Sequence, residues 1–274
     1  MMRWQKAVAA ASAAGLAASG AESLTLRRRV RELPLPGLPR ELEGLTILHV
    51  SDVHAGYGPG LWLLRRCAAW ARELEPDLIA VTGDLVARRR AAPGFAAASE
   101  ELVAAAKHGA FAVLGNHDLA RGHDPFAQGW DADDLGGMTL LDGAAEELTL
   151  HGQRISIAGA SAKRLMGAAD YDPAMHLDVS ADLRILLCHF PDLLPRLAPG
   201  WANLVLSGHL HGGQICLPWP GGRIGLAHPA SGPVASIEAC DGTVMHVSPG
   251  LGTTFVPLRL FARPEVTLLR LRTA

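Results

Sequence analysis

The sequence predicts an α/β fold built on two β-sheets with helices outside. Three observations carry this. Apolar runs of strand length alternate with helical patterns from Leu45 to Gly115, which implies βαβ units. Beyond Glu147 the apolar runs include a pair around a turn, which adds hairpins to the parallel units. A chain of 274 residues with 49% hydrophobic and only 19% charged side chains supplies one well-filled core.

Taken in order, Leu45–Val50 (LTILHV) is a buried strand and Gly60–Glu75 (GLWLLRRCAAWARELE) carries apolar residues at helical spacing. Asp77–Gly83 (DLIAVTG) is a second strand, the Ala-rich stretch after Pro93 a second helix, and Ala110–Gly115 (AFAVLG) a third strand. Glu147–Gly159 (ELTLHGQRISIAG) reads as two strands around a Gly-containing turn. Leu183–Phe190, Asn203–Gly208, Thr243–Ser248 and Glu265–Leu271 supply four more strands. The Pro/Gly-rich stretch Leu217–Pro233 reads as a long loop, and no internal repeat is visible. Cys67, Cys188, Cys216 and Cys240 show no CxxC spacing and read as small core residues.

At the N-terminus, Arg3 and Lys6 precede the Ala-rich run Ala7–Ala21, long enough for a signal-peptide core but short for a membrane span. Arg27–Arg31 (RRRVR) follows, so positive charge flanks both ends and sets no orientation. Residues 1–22 are read as a signal or membrane-anchor segment, or as a plain Ala-rich helix, ahead of a single domain over 23–274. Localisation follows the same fork: membrane-associated or exported through this segment, with cytoplasmic as the alternative. Basic residues beside an apolar helix attract anionic lipid, so contact with a membrane surface belongs to the first reading. A formal charge of −2 argues against a nucleic-acid partner.

Each apolar strand is followed by polar residues of one kind. After LTILHV come Asp52 and His54; after DLIAVT comes Asp84; after AFAVL come Asn116, His117 and Asp118. LRILLC ends in His189, and NLVLS in GHLH with His209 and His211. Ligand sites form at the carboxyl ends of strands in open α/β sheets, so five such ends imply one shared site. Chance supplies about one Asp-x-His in a chain of this composition, but a Gly-Asn-His-Asp only on the order of once in a thousand. Carboxylate, amide and imidazole donors without thiolate suit Mn²⁺, Fe or Zn²⁺.

This ordered set, DVH, GD, GNHD, H and GHLH, resembles the calcineurin-like metallophosphoesterase superfamily from about Leu45 to the last strand. The tail (SGHLHGGQICLP, then VSPGLGTTFVPLRLFARPEVTLLRL) is similar to a bacterial subgroup of membrane-associated phosphodiesterases, some relatives of which cleave the pyrophosphate of UDP-2,3-diacylglucosamine. The resemblance implies a four-layer αββα sandwich, two mixed β-sheets flanked by helices, with metal ligands at strand C-terminal ends. It implies that Asp52, His54 and His211 bind one divalent ion and Asn116, His189 and His209 a second, with Asp84 bridging. It further implies hydrolysis of a phosphodiester or pyrophosphate bond in a phosphate-ester substrate, lipid-linked or a sugar nucleotide, by a metal-bridging hydroxide. His117 would act on the leaving oxygen, with Asp118 orienting its ring. A phosphomonoesterase of the same superfamily and a non-catalytic metal-binding scaffold stand as alternatives. One departure is Ala87, where the family's second motif usually has Asp or Arg; Arg88, Arg89 and Arg90 follow it.

Other residues take plainer readings. His49 sits inside a strand pattern as a core or sheet-face histidine, and His108, His123, His151, His176 and His246 have no partner motif. Arg88–Arg90 reads as a solvated loop or an anion contact. Trp201, Trp219 and the Leu217–Gly222 loop read as exposed surface or as an apolar rim for a lipid-like substrate.

Overall fold

The computed structural model describes residue 4 and residues 15–121, 124–125, 127–167, 171–219, 222–226 and 235–274. Helix α1 covers residues 15–23 and leads into β1 (Arg27–Leu35) and β2 (Thr46–Val50). Then come α2 (Gly60–Leu74), β3 (Leu78–Thr82), α3 (Ala92–Val103), β4 (Ala110–Val113) and the short β5 (Thr139–Leu140). The second half contains β6 (Ala144–Leu150), β7 (Gln153–Gly159), the one-turn α4 (Ala162–Leu165), β8 (Leu183–Leu187) and β9 (Leu204–Ser207). The chain ends with β10 (Cys216–Trp219), β11 (Gly222–Gly225), β12 (Ile237–Cys240), β13 (Thr243–Val247) and β14 (Glu265–Thr273).

Two mixed six-stranded sheets result, ordered β1-β14-β2-β3-β4-β5 and β12-β13-β9-β8-β7-β6. In each, a parallel run carries the strand ends of interest: β2, β3 and β4 in the first, β7, β8, β9 and β13 in the second. The inner faces meet in one apolar layer that includes Ile47, Leu78 and Phe111 from the first sheet and Ile157, Ile185 and Leu204 from the second. The outer face of the first sheet lies under α2 and α3. Helix α2 turns Leu63, Leu64, Cys67, Ala68 and Ala71 inward, the spacing of an amphipathic helix. It stops at Glu75, in the left-handed conformation, with Pro76 unable to continue it. The outer face of the second sheet is covered more thinly, by α4, a 3₁₀ turn at Pro191–Arg196 and loop side chains such as Leu177 and Trp201.

Two expectations change, and helix α1 adds an attachment across residue 22. Arg27–Arg31 is not a flank but the first half of β1, paired parallel to β14. The expected long loop from Leu217 contains a hairpin, β10 on β11; Pro220, Gly221 and residues 227–233 of that stretch lie outside the described residues. Helix α1 runs across the boundary expected at residue 22 and is tied to the sandwich. Ser19 Oγ donates to Arg259 O (2.9 Å), Arg259 N–H donates to Ser23 Oγ (2.7 Å), and Phe261 N–H donates to Glu22 Oε2 (2.9 Å). The leader residues 1–3 and 5–14 lie outside the described residues, as does His123. Among the described residues no helix is long and apolar enough to cross a membrane.

Candidate metal centre

The residues following β2, β3, β4, β8 and β9 converge at one edge of the sandwich. Five of the seven candidate ligands have left-handed backbone: Asp52 (φ 51°), His54 (48°), Asp84 (53°), His209 (72°) and His211 (52°). For non-glycine residues this costs on the order of 1 kcal/mol each, and such strain gathers where side-chain direction matters more than local stability. Two glycines make the approach possible. A Cβ on Gly115 would stand 2.1 Å from Asp84 Oδ1, and one on Gly208 would stand 1.9 Å from Ser51 Oγ and 2.4 Å from Asp52 Oδ2.

Two groups of donor atoms form there, Asp52, His54, Asp84 and His211 in one and Asp84, His189 and His209 in the other; within each, every ligand atom lies within 4.8 Å of the rest. Asp84 is common to both, its Oδ2 lying 3.4 Å from His54 Nε2 and 3.3 Å from His189 Nε2. The Nε2 atoms of His54 and His211 are 3.1 Å apart, and His209 Nδ1 lies 3.2 Å from His189 Nε2. Backbone and side-chain bonds aim these groups. His189 Nδ1–H donates to Thr82 O (2.8 Å), which turns Nε2 toward Asp84. His209 N–H donates to both oxygens of Asp52 at 3.1 Å, and His117 N–H donates to Asp84 Oδ1 at 2.9 Å.

Burial sets the charges. It pushes Asp52 up to about 6, a rise that His189 limits and Asp84 adds to. It works on Asp84 the same way, but His189, His117 and His54 outweigh it and hold that carboxylate well below the usual range. Burial takes His54 down to about 3 and His211 well below its ordinary value, so both are neutral, the form that binds metal. Burial opposes charge on His189 too, yet Asp84 beside it carries that group up to about 9.

Asn116 supplies the fit test. Its Oδ1 is buried with no hydrogen-bond partner, a condition that costs about 1–3 kcal/mol unless something takes the oxygen. Carboxylates, imidazoles and an orphaned amide oxygen form a donor set for hard or borderline cations. The residues present fit bound metal ions.

His117 stands at the edge of this cluster, its ring 4.6 Å from that of His54 and its Nε2 3.9 Å from Asp84 Oδ2. The carboxylate beside its Nδ1 is Asp124, at 3.6 Å, and not Asp118. Asp118 accepts instead from the backbone N–H groups of Leu85, Val86 and Gly115 and from Trp130 Nε1–H, all at 2.9 to 3.1 Å. It ties the loops after β3 and β4 together, and its neighbour in sequence faces elsewhere. Sequence reasoning missed Asp124, which sits in an irregular stretch with no motif of its own. It also missed Arg259, a fully buried side chain whose guanidinium donates to the carbonyls of His211, Pro249, Gly252 and Ala262. His49 pairs with His246 across the two sheets, Nδ1 to Nδ1 at 2.7 Å, and its Nε2 lies 2.9 Å from Thr82 Oγ1. Arg89 Nε donates to Gly129 O and Arg88 stands over the Tyr57 ring, so the arginine run is partly engaged. Trp201 packs into the outer apolar layer of the second sheet and forms no rim.

The family model for calcineurin-like phosphoesterases matches residues 45–213, which span all seven candidate ligands. The chain belongs to the calcineurin-like phosphoesterase family. Its relatives include an uncharacterised metallophosphoesterase, YkuE, of Bacillus subtilis, 32% identical over 86% of this chain and 82% of that one. Phosphodiesterase YaeI of Escherichia coli is 29% identical over 82% of this chain and 81% of its own. The UDP-2,3-diacylglucosamine pyrophosphatase LpxG of Chlamydia muridarum is 25% identical over 86% of each chain. As a calcineurin-like phosphoesterase with this donor cluster, the protein is a metal-dependent phosphoric ester hydrolase.

Proposed function

We propose that the protein is a dinuclear phosphodiesterase or pyrophosphohydrolase acting on a lipid-linked or sugar-nucleotide substrate. The observation that carries this reading is Asp84, whose single carboxylate belongs to both groups of donors. Asp52, His54 and His211 would hold one ion, Asn116, His189 and His209 the other, with Asp84 between them, and Mn²⁺, Fe or Zn²⁺ suits the donors. Two ions bound there supply a water of lowered pKa and neutralise charge on the phosphoryl oxygens. The chain's own residues do the rest. His117 turns its Nε2 toward the cluster, 3.9 Å from Asp84 Oδ2, with Asp124 3.6 Å from Nδ1 on the other side of the ring, so Nε2 is the atom that would act on the leaving oxygen.

The substrate class rests on two supports. One is the pair of relatives named for a phosphodiesterase and for a UDP-2,3-diacylglucosamine pyrophosphatase. The other is an apolar rim: Phe255 and Val256 are exposed, Phe255 N–H donates to Asp124 Oδ2 (3.4 Å), and Tyr57 O–H donates to Phe255 O (2.6 Å). The rim thus lies beside His117, where an acyl-bearing substrate would project. Metal analysis with a panel of aryl phosphodiester, sugar nucleotide, glycerophosphodiester and phosphomonoester tests the reading. Two ions per chain with diester or pyrophosphate turnover is the expected result. Turnover of monoesters alone would make the protein a phosphomonoesterase, and bound metal with no turnover would make it a scaffold.

A further inference from the structure

At the end of the sandwich where β1 meets β14, four arginines surround a cavity of about 140 Å³, roughly ten times the space one water needs. Three of them, Arg27, Arg29 and Arg31, share a face of β1 because side chains alternate along a strand. That face continues as Leu33 and Leu35, which are buried between the sheets, so the arginines stand at the mouth of the inter-sheet space and not on an outer surface. Arg263 closes the ring, and His246 lies at its inner wall.

The charges there do not balance. Among the described residues Glu265 is the one carboxylate lining the cavity, and its Oε2 stands 3.6 Å from Arg27 and 3.5 Å from Arg29, beyond hydrogen-bond reach of either. The side chains of Arg31 and Arg263 make no hydrogen bond or ion pair among the described residues, and Arg31 Nε is buried with no partner there. Four guanidiniums face one carboxylate, and His246, whose ring is pushed down to about 3 by burial and then by Arg31 and Arg29, adds no charge. Burial and the neighbouring Arg29 also lower the pKa of Arg31, more than Glu265 raises it.

We infer that this cavity is an anion site for a phosphate group, distinct from the metal centre, in which Arg31 and Arg263 are the main contacts. Planar guanidiniums match phosphate oxygens two bonds at a time, and a tetrahedral anion can take several at once. Gly212, next to His211, and Pro249, next to the Gly250 that abuts Asp52, form the wall between this cavity and the metal centre. The phosphate can come from a soluble ester or from a phospholipid headgroup. The rim suits either source, since Phe261 is 47% exposed at the cavity and Leu24 is 53% exposed just before β1.

The test titrates inorganic phosphate into the metal-loaded full-length chain by calorimetry, for the wild type, Arg31→Gln and Arg263→Gln. The wild type should bind one more equivalent than either variant, or the variants should hold that equivalent at least about tenfold more weakly. Turnover of a soluble aryl phosphodiester should not change. Arg263 is exposed, so its variant keeps the test open if Arg31→Gln does not fold. Cosedimentation with phosphatidylglycerol vesicles, against phosphatidylcholine vesicles, separates the sources. Loss of vesicle binding in the variants assigns a headgroup, and loss of the phosphate equivalent alone assigns a soluble ester. Unchanged phosphate stoichiometry, affinity and vesicle binding in both variants would overturn the site.

Discussion

Asp84 presents Oδ2 to His54 and His189 while its Oδ1 accepts the His117 N–H, so one carboxylate faces both halves of the centre. Asp84→Asn keeps the shape and removes the charge. Loss of a residue that merely supports a ligand weakens metal binding 10- to 100-fold, so loss of this ligand's charge should exceed about 100-fold and lower turnover with it. Elemental analysis finding two full ions and normal turnover would rule that assignment out. The three residues 117, 118 and 124 separate by a second experiment. His117→Ala should keep both ions and lose about 10²- to 10⁴-fold in turnover on poor leaving groups, with activated aryl esters much less affected. Asp124→Asn should show a milder form of the same contrast. Asp118→Ala should instead cost about 3 kcal/mol or more of stability, because three backbone N–H groups and an indole N–H lose a buried acceptor. Urea midpoints read that difference; equal midpoints for all three variants would contradict it. The sequence placed Asp118 beside His117 because adjacency is all that a motif shows. In the turn after β4 the two neighbours point to different loops, and the carboxylate near the ring comes from a segment with no pattern to read.

The strands that carry the centre were legible because buried parallel strands are continuous apolar runs, and a polar residue ending such a run is conspicuous. Element β1 was not legible for the opposite reason. Its inner face starts with three arginines, and only Leu33 and Leu35 behave as a core strand should. Helix α1 had no legible role either, since its attachment runs through two serines and a glutamate and not through an apolar stripe. Ser19 and Ser23 hold the backbone of Arg259, and Arg259 holds the carbonyl of the candidate ligand His211 at 3.1 Å. That chain of contacts makes α1 part of the support of the centre. Replacing both serines by alanine removes two bonds and should cost about 1–3 kcal/mol. Metal should also leave faster to a chelator, while kcat of the loaded protein stays close to wild type. Identical chelator kinetics would show that α1 only rests on the surface.

At the scale of the whole molecule, the two sheets meet through an apolar layer that also holds a polar contact, the pair His49 and His246. Each sheet contributes one imidazole, from β2 and from β13, and both are buried. Burial drives His49 well below its ordinary range, with His246 adding to the effect, and takes His246 down to about 3, with Arg31 and Arg29 adding to it. Both rings are therefore held neutral in the folded protein at neutral pH and through the mildly acid range. In the unfolded chain each takes a proton below about pH 6.5. The folded pKa values are depressed, so the stability linked to this pair is complete above pH 6.5 and is lost as pH falls toward the folded values. With two protons taken up on unfolding, the slope approaches about 2.7 kcal/mol per pH unit. Replacing His246 with leucine removes one of the two protons, so the variant, whatever its stability at pH 7.5, should lose about 1.4 kcal/mol less per pH unit below 6. Urea unfolding of chelated wild type and His246→Leu at pH 7.5, 6 and 5 measures the two slopes about as directly as the linkage allows. Parallel slopes would mean that the seam between the sheets does not set the acid limit of the fold.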